Sequence, residues 1–400
     1  MATARHALAP VADAPRPVRS RWPRHEQDEI DAAVAVLASG RVNSLVHGDQ
    51  CRAFEAEFAA LCDAPHAIAM ANGTVALEVA LRALDIGTGD EVVVTPRSFF
   101  ASAACIVNCG AVPVFADVDP ASQNITAETI ARVISPRTRA IIAVHLAGWP
   151  CAMPEIMTLA RAYGLKVIED CAQAHGASLD GRMAGSFGDA AAFSFCTDKI
   201  MSTGGEGGML LLQDDAVHAR AWALKDHGKS LAALGQPATG SSFRWVHDGF
   251  GSNYRMTELQ AAIGRAQLRK LPRWLGQRRA NAGVLLAGLG GLPALRLTVP
   301  DEAIGHAWYK FYAFLRPERL HAGWSRDRIV EAAVAAGVPC FSGSCPEIYR
   351  ERAFGHDQRL PTARALGETS LMVPVDHTLD AGEMARIADV LHAIITTATR

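Results

Sequence analysis

Lys199 is placed where an enzyme could form a covalent bond to an aldehyde. It follows the short apolar run 193–195, Ser194 stands five residues before it, and the glycine-rich run 204–208 comes after it. A lysine amine in such a place can hold an aldehyde cofactor as a Schiff base, and pyridoxal phosphate (PLP) is the obvious candidate. The same segment would also suit a surface lysine in a flexible loop, so residues elsewhere must separate the two interpretations.

Asp170 could serve the ring nitrogen of such a cofactor. It ends the apolar run 166–170 and directly follows Glu169. Consecutive side chains of a strand point to opposite faces, so the two carboxylates would separate. A carboxylate held against a pyridine nitrogen keeps that nitrogen protonated, which lets the ring withdraw electrons. For Asp170 taken alone, a solvated acid at a strand end is the commoner situation.

Four further residues could bind the phosphate and the ring. Gly73 and Thr74 lie between a predicted strand and a predicted helix, where free backbone N–H groups bind anions. Ser194 would add a hydroxyl donor, and Phe99, directly after another predicted strand, could stack on a flat ring. Each has an ordinary alternative, which is a helix cap, a hydrogen bond to neighbouring backbone or a place in the core.

Short apolar runs predict the strands that would position these residues. They span 66–71, 91–95, 112–116, 140–145, 166–170, 190–195 and 208–212. Helical patterns alternate with them, such as 74–84, whose apolar residues recur at the spacing of one buried helix face. Strands joined by crossover helices form a mainly parallel sheet covered on both sides, with functional loops at the carboxyl ends of the strands. The sequence therefore predicts an α/β fold.

The second half of the chain has a different character. Residues 225–255 are rich in Gly, Ser, His and aromatic residues and predict a long ordered loop, and 256–271 and 273–288 predict two helices. A predicted strand at 308–315 and predicted helices at 325–336 and 380–396 follow, the last with a capping box of Asp380 and Glu383. We therefore expect a flexible tail at 1–25, a large cofactor-binding domain at 26–290 and a smaller C-terminal α+β domain at 291–400.

The composition excludes several classes of protein. With 400 residues and a formal net charge of −2, the chain has no excess of Lys and Arg for a nucleic-acid surface or a polybasic membrane patch. Its nine cysteines are an odd number without a C-x-x-C pair, so we expect reduced thiols in a cytoplasmic protein and no metal site. No stretch reaches the length of a membrane span.

Five motifs occur along the chain in a fixed order, at residues 71–77, 112–118, 169–176, 193–199 with the glycines that follow, and 253–258. In this order they resemble the DegT/StrS family of PLP-dependent sugar aminotransferases. The resemblance extends from about residue 26 to 390. It implies the type I fold of PLP-dependent transferases, with a mainly parallel sheet sandwiched by helices in the large domain and a smaller C-terminal domain.

The resemblance also implies a role for each candidate residue. Lys199 would bind the cofactor covalently, Asp170 would pair with the pyridine nitrogen, and Gln173 would lie beside the ring near its phenolic oxygen. Phe99 would stack on the ring. The phosphate would be held by Gly73, Thr74, Ser194 and an Asn253 that reaches across from a second subunit. The expected assembly is a homodimer with shared active sites.

By the same resemblance, the enzyme would transfer an amino group from glutamate to a keto-sugar, in the first place one linked to a nucleotide. The pathway would be deoxyamino sugar or polysaccharide biosynthesis. Alternatives are transamination of a cyclitol or sugar phosphate, a sugar dehydratase, and a catalytically silent regulatory protein. Lys199 argues against dehydration, because the dehydrating branch of the family has histidine there. Where many relatives have a His-Tyr-x-Pro-x-His segment near the sugar, this chain has the unrelated run 341–349, which leaves the sugar open.

Overall fold

The computed structural model describes residues 17–237, 243–355, 357 and 359–400. Its strands are β1 (His66–Met70), β2 (Glu91–Val94), β3 (Val112–Phe115), β4 (Thr138–Val144), β5 (Lys166–Asp170), β6 (Ser178–Leu179), β7 (Arg182–Met183), β8 (Ala190–Ser194), β9 (Gly208–Leu212), β10 (Leu295–Leu297), β11 (Ile304–Gly305), β12 (Phe311–Leu315) and β13 (Ser370–Val373). Its helices are α1 (Gln27–Ser39), α2 (Asp49–Leu61), α3 (Gly73–Ala83), α4 (Ala101–Asn108), α5 (Ala127–Ala131), α6 (Met153–Tyr163), α7 (Asp215–Lys225), α8 (Leu231–Gly235), α9 (Glu258–Leu289), α10 (Arg326–Ala335), α11 (Pro361–Thr369) and α12 (Ala381–Ala398). None of these helices is long and apolar enough to cross a membrane.

A seven-stranded sheet forms the centre of the fold, in the order β1-β9-β8-β5-β4-β2-β3. The pairs from β8 to β3 are parallel, and β9 runs antiparallel to both of its neighbours. Every residue of β2, β8 and β9 is buried, as expected for a sheet covered by helices on both faces. The predicted strands and the mainly parallel α/β sheet are confirmed.

Helix α3 begins directly after β1 and brings its N-terminus to the carboxyl edge of the sheet. The side chain of Asn72 caps it by accepting the backbone N–H of Val75 at 3.0 Å. Its apolar face, including Ala76, Leu77 and Ala80, is buried in the same core as the sheet. The helical pattern predicted at 74–84 is confirmed.

A single long helix, α9, stands where two helices were predicted on either side of Pro272. The prediction of a break there is wrong, because the buried face continues through Leu271 and Trp274, and this packing offsets the backbone hydrogen bond that proline cannot make. The helix begins with a capping box between Thr257 and Gln260. Residues 225–255 contain the short helix α8, and 238–242 of that segment lie outside the described residues.

A second core surrounds the antiparallel sheet β10-β12-β13. Helices α10 and α12 and the last turns of α9 pack on it, with Leu285 and Leu289 of α9 in this core beside Phe311 and Leu391. The predicted capping box of Asp380 and Glu383 at the start of α12 is confirmed. The boundary between the domains expected at 26–290 and 291–400 stays a prediction.

The segment before α1 includes the residues expected to form a flexible tail at 1–25. Residues 1–16 lie outside the described residues, but Val18 is buried and its N–H donates to the carbonyl oxygen of Gly337 at 2.8 Å. Trp22 packs edge-on against Trp274, with ring centroids 5.2 Å apart. Val18 and Trp22 thus connect residues 17–25 to the folded chain, and the tail expected at 1–25 stays a prediction.

Candidate active site

One cavity of about 780 Å³ opens at the carboxyl edge of the large sheet, and Tyr312 of β12 and Met372 of β13 also line it. Its lining includes Gly73, Thr74, Phe99, Asp170, Gln173, Ser194 and Lys199, which are all the predicted cofactor residues except Asn253. They come from the segments that follow β1, β2, β5 and β8. This is where ligands bind in open, mainly parallel sheets.

Lys199 lies on a tight turn after β8, with its side chain 12% exposed. Its backbone N–H donates to the carbonyl oxygen of Cys196 at 3.0 Å. Its own carbonyl oxygen accepts the indole N–H of Trp22 at 2.7 Å. The main chain of the lysine is thus held on both sides, while the amine stays within the cavity.

An aspartate and a tyrosine flank the amine of Lys199. Asp198 Oδ1 lies 3.8 Å from Lys199 Nζ, and the hydroxyl of Tyr309 donates to Asp198 Oδ2. Burial by itself would raise the pKa of Asp198, but the charge of Lys199 and the Tyr309 hydrogen bond hold it below its usual value. Burial and Asp198 together raise the pKa of Tyr309 well above its usual value. A carboxylate therefore lies beside the amine, and a neutral phenol next to it.

Asp170 is the last residue of β5 and is 4% exposed. Its Oδ2 accepts the hydroxyl of Ser102 at 2.7 Å, and its Oδ1 accepts the N–H of Ala172 at 3.1 Å. Ser102 in turn lies 2.9 Å from the hydroxyl of Ser98. The carboxylate is held in place by these donors and still lines the cavity.

Glu169, the neighbouring acid, points to the other face of the sheet, as strand alternation predicts. It is fully buried and accepts the N–H groups of Gly185, Phe187 and Gly188. The Nε2 of His145 donates to it at 3.0 Å, since Nδ1 of that ring accepts the N–H of a following residue. Burial would raise the pKa of Glu169, but these hydrogen bonds lower it. Glu169 is thus an ionised structural residue.

The start of α3 and the end of β8 form an anion-binding corner. A Cβ atom on Gly73 would lie 2.7 Å from the Cβ of Ser194 and 3.3 Å from the carbonyl oxygen of Phe193, so only glycine fits there. Thr74 and the hydroxyl of Ser194 line the cavity beside it. Free N–H groups of a helix start, together with hydroxyl donors, suit a phosphate.

Gln173 and Phe99 complete the part of the cavity predicted to hold the ring. The side-chain oxygen of Gln173 accepts the N–H of Ala147 at 2.8 Å, which fixes the amide. Phe99 is 66% exposed although it is a large aromatic side chain. An aromatic face this accessible on a cavity wall is free to stack on a ligand.

Asn253 does not join the others within one chain. It is exposed and lies in a second cavity of about 360 Å³, together with Asn43 and Arg255. Nη1 of Arg255 donates to the buried carboxylate of Asp226 at 2.7 Å. Asn253 therefore lines a different cavity from Lys199 of the same chain.

Several cavity residues were not predicted from the sequence. Ser98 and Ser102 support Asp170, and their spacing of four just after β2 was the available signal. Tyr309 and Lys310 line the cavity from the segment just before β12, which begins later than the predicted strand 308–315. A lysine inside an aromatic run was the signal for the second pair.

Comparison with known proteins gives one consistent result. A family model described as the DegT/DnrJ/EryC1/StrS aminotransferase family matches residues 23–392. The chain is 38% identical over 369 residues to UDP-N-acetyl-3-dehydro-alpha-D-glucosamine 3-aminotransferase of Acidithiobacillus ferrooxidans, covering 91% of this chain and 93% of that protein. It is 36% identical over 392 residues to GDP-perosamine synthase of Caulobacter vibrioides, covering 96% and 100%. A solved aminotransferase from Psychrobacter cryohalolentis has a TM-score of 0.92 at 49% identity, covering 95% of this chain and 99% of that one.

The protein belongs to the DegT/DnrJ/EryC1/StrS aminotransferase family, and it is a PLP-dependent aminotransferase with the fold of those enzymes. The resemblance read from the motifs is confirmed. The residues of the cavity fit the cofactor, because the amine of Lys199, the fixed carboxylate of Asp170 and the anion-binding corner at Gly73 all line one cavity.

Proposed function

We propose that this enzyme transfers an amino group from glutamate to a keto-sugar linked to a nucleoside diphosphate. The observation that carries the proposal is the cavity in which Lys199 and Asp170 both lie, whose volume of about 780 Å³ falls in the range of sites that hold small molecules. The relatives from A. ferrooxidans and C. vibrioides are named for UDP- and GDP-linked sugars. A nucleotide sugar is therefore the best supported acceptor, and a role in polysaccharide or deoxyamino sugar biosynthesis follows.

The chain's own residues divide the chemistry between them. When bound, PLP supplies an aldehyde that condenses with amines and a ring that withdraws electrons from the substrate carbon. Lys199 would hold the cofactor covalently, and its amine would move the proton at the donor's α-carbon. Asp170, fixed by Ser102 and the N–H of Ala172, keeps the ring nitrogen protonated. Phe99 and Gln173 orient the ring, and the Gly73 corner binds the phosphate.

We propose further that the enzyme is a homodimer in which Asn253 completes the phosphate site of the other subunit. This is supported by Asn253, which is exposed and lines a different cavity from Lys199 of its own chain. It is also supported by Phe243, Trp245 and Phe250, which lie in the segment just before Asn253 and are 75%, 88% and 95% exposed. A second copy of the chain would cover these aromatic side chains.

We place the enzyme in the cytoplasm. All nine cysteines are free thiols, and most of them are buried. Free thiols persist in a reducing compartment, whereas oxidising compartments favour disulfides.

The test is an assay with ¹⁵N-labelled glutamate and a panel of acceptors. The panel contains keto-sugars linked to UDP, dTDP and GDP, a cyclitol ketone and a keto-sugar phosphate, and the products are analysed by mass spectrometry. We expect ¹⁵N in one of the nucleotide sugars and none with Lys199→Ala. Labelling of the cyclitol or sugar phosphate alone would overturn the proposed acceptor, and loss of a hydroxyl without gain of ¹⁵N would indicate a dehydratase.

A further inference from the structure

Lys310 lines the same cavity as Lys199, and among the described residues these two are the only cationic side chains of its lining. Lys310 Nζ lies 4.9 Å from the centroid of the Tyr309 ring, and Lys199 Nζ lies 5.3 Å from the same centroid. Both ammonium groups are therefore next to one aromatic side chain. In the part of the chain that the structure describes, Lys310 forms no ion pair within 4.0 Å, so its charge is available to a ligand.

The backbone around Lys310 is held in an unusual shape. Trp308 has a φ of 48° and Ala147 a φ of 58°, which is a costly conformation for residues other than glycine. The two turns are joined, because the N–H of Tyr309 donates to the carbonyl oxygen of Ala147 at 2.9 Å. Because of this bend, Tyr309 and Lys310 line the same cavity, although consecutive residues of a regular strand point to opposite faces.

The charges around Lys310 favour an incoming anion. Burial lowers the pKa of Lys310, and the cations Arg278 and Lys199 lower it further, whereas Asp198 and Asp376 act in the opposite direction. Arg278 is fixed nearby, since its Nη1 donates to the carbonyl oxygens of Trp308 and Tyr309 at 3.2 Å and 3.3 Å. An anion bound to Lys310 would offset both the burial and the repulsion.

Given the proposed transamination, on which this step rests, we infer that Lys310 binds the carboxylate of the amino donor. An amino acid carries its carboxylate on the carbon whose amine reacts, so the carboxylate must bind close to Lys199. Once the cofactor occupies Lys199, Lys310 is the cation that remains in the lining, and it shares the Tyr309 ring with Lys199. The diphosphate of a nucleotide sugar is attached to C1 and not to the carbon that receives the amine, which makes it the poorer match for a cation beside Lys199.

The first test measures binding without turnover. Glutarate, a dicarboxylate that has no amine to transfer, is titrated into PLP-loaded enzyme by isothermal titration calorimetry. Lys310→Met should weaken binding by about tenfold or more, as expected when a charge-assisted contact is lost, and Lys310→Arg should retain most of it. Lys166→Met is the matched control, because Lys166 is about half exposed and pairs with Asp189 at 3.0 Å, at the opposite edge of the sheet. It should bind like the wild type.

The pH dependence of glutarate binding is a second test. It would not change with the residue at position 310 if Lys310 had only a structural role. Only the protonated amine attracts a carboxylate, so wild-type affinity should fall as pH rises through the lowered pKa of Lys310. In Lys310→Arg the fall should disappear, since the guanidinium stays charged. If the glutarate affinity of Lys310→Arg fell with rising pH as it does in the wild type, the inference would be overturned.

The third test separates donor from acceptor. Lys310→Met should raise KM for glutamate about tenfold while KM for the keto-sugar stays the same. A rise in KM for the keto-sugar, with glutarate binding intact, would overturn the inference and assign Lys310 to the sugar. If the wild type labels no keto-sugar yet binds glutarate through Lys310, the proposed acceptor is wrong and the donor site stands.

Discussion

Trp22 donates its indole N–H to the main-chain oxygen of Lys199 at 2.7 Å. The same ring packs edge-on against Trp274 and His377, with centroids 5.2 Å and 4.7 Å away. Trp274 is buried on α9, so Trp22 connects the turn that holds Lys199 to the longest helix of the described chain. The N-terminal segment is therefore part of the support of the active site.

Replacing Trp22 with Phe keeps an aromatic ring but removes the donor. We expect a loss of about 1 kcal/mol in the free energy of unfolding, because a part-buried carbonyl loses its partner. We also expect kcat to fall about tenfold as the Lys199 turn loosens. Urea unfolding and steady-state kinetics measure the two effects. Trp324→Phe, in the second core, is the control, and an unchanged kcat in Trp22→Phe would limit this hydrogen bond to stability.

The carboxylate of Asp170 should show a graded dependence on its supporting hydroxyls. Asp170→Asn should lower kcat by about 10²- to 10³-fold, because the ring nitrogen loses its charged partner. Ser102→Ala removes one charge-assisted hydrogen bond and should cost about tenfold. Ser98→Ala acts one bond further away and should cost less. Kinetics and the visible spectrum of the cofactor as a function of pH measure the series, and equal effects of the two serine variants would contradict this order.

The close approach of Gly73 to Ser194 predicts intolerance of any side chain. Gly73→Ala would place a methyl group 2.7 Å from the Ser194 Cβ, so β8 or α3 must shift. We expect PLP affinity to fall at least about tenfold and stability to fall by about 1–3 kcal/mol. Gly276→Ala, on an exposed part of α9 with nothing within 4 Å, should leave PLP affinity unchanged and raise stability by up to about 1 kcal/mol. If Gly73→Ala bound PLP as tightly as the wild type, the anion-binding corner would not be the phosphate site.

Shared active sites can be tested with mixed subunits. Lys199→Ala and Asn253→Ala should each be inactive or nearly so as pure proteins. In a dimer with one subunit of each kind, one site keeps both an intact Lys199 and an intact Asn253. Random mixing should therefore restore about a quarter of wild-type activity. No recovery in mixtures that have been shown to exchange subunits would place Asn253 outside the partner's site.

His175 should make the fold sensitive to acid. Its ring packs against Phe193 and Phe195, and burial, together with Lys199 and Arg278, lowers its pKa from 6.5 to about 3. Between these values the unfolded chain binds a proton that the folded chain does not, so stability is complete above pH 6.5 and falls as pH decreases towards 3.

The free energy of unfolding should thus drop by about 1.4 kcal/mol per pH unit from this group within that window. Urea unfolding at pH 7 and pH 5 should show a smaller drop in His175→Leu than in the wild type. His321→Leu, at an exposed position, should behave like the wild type. Equal drops in wild type and His175→Leu would show that His175 is protonated in the folded state.

Most of the sheet could be predicted, because each strand is a short apolar run and each crossover helix is a helical pattern within its own stretch of sequence. Lys199, Asp170 and Gly73 could also be predicted, since parallel strands bring their carboxyl ends to one edge. Lys310 stands out in the sequence as a lysine within an aromatic run, but its place in the cavity could not be predicted, because it depends on a turn at Ala147 that is distant in the sequence. The break predicted at Pro272 was wrong for a related reason. The helix continues through Pro272 because its buried face packs on both sides of that residue, and this packing depends on the fold and not on the local sequence.

Ala147 donates its N–H to the side-chain oxygen of Gln173 and accepts the N–H of Tyr309, so its backbone links two residues that line the cavity. This linkage limits which substitutions at Ala147 and its neighbours can change the substrate without disturbing Gln173. Positions 147 and 308 tolerate glycine more readily than a β-branched residue, because both adopt left-handed backbone. Substitutions that change the acceptor would then fall at other positions of the lining, such as Phe341 and Gly343, which take no part in the hydrogen bonds of Ala147.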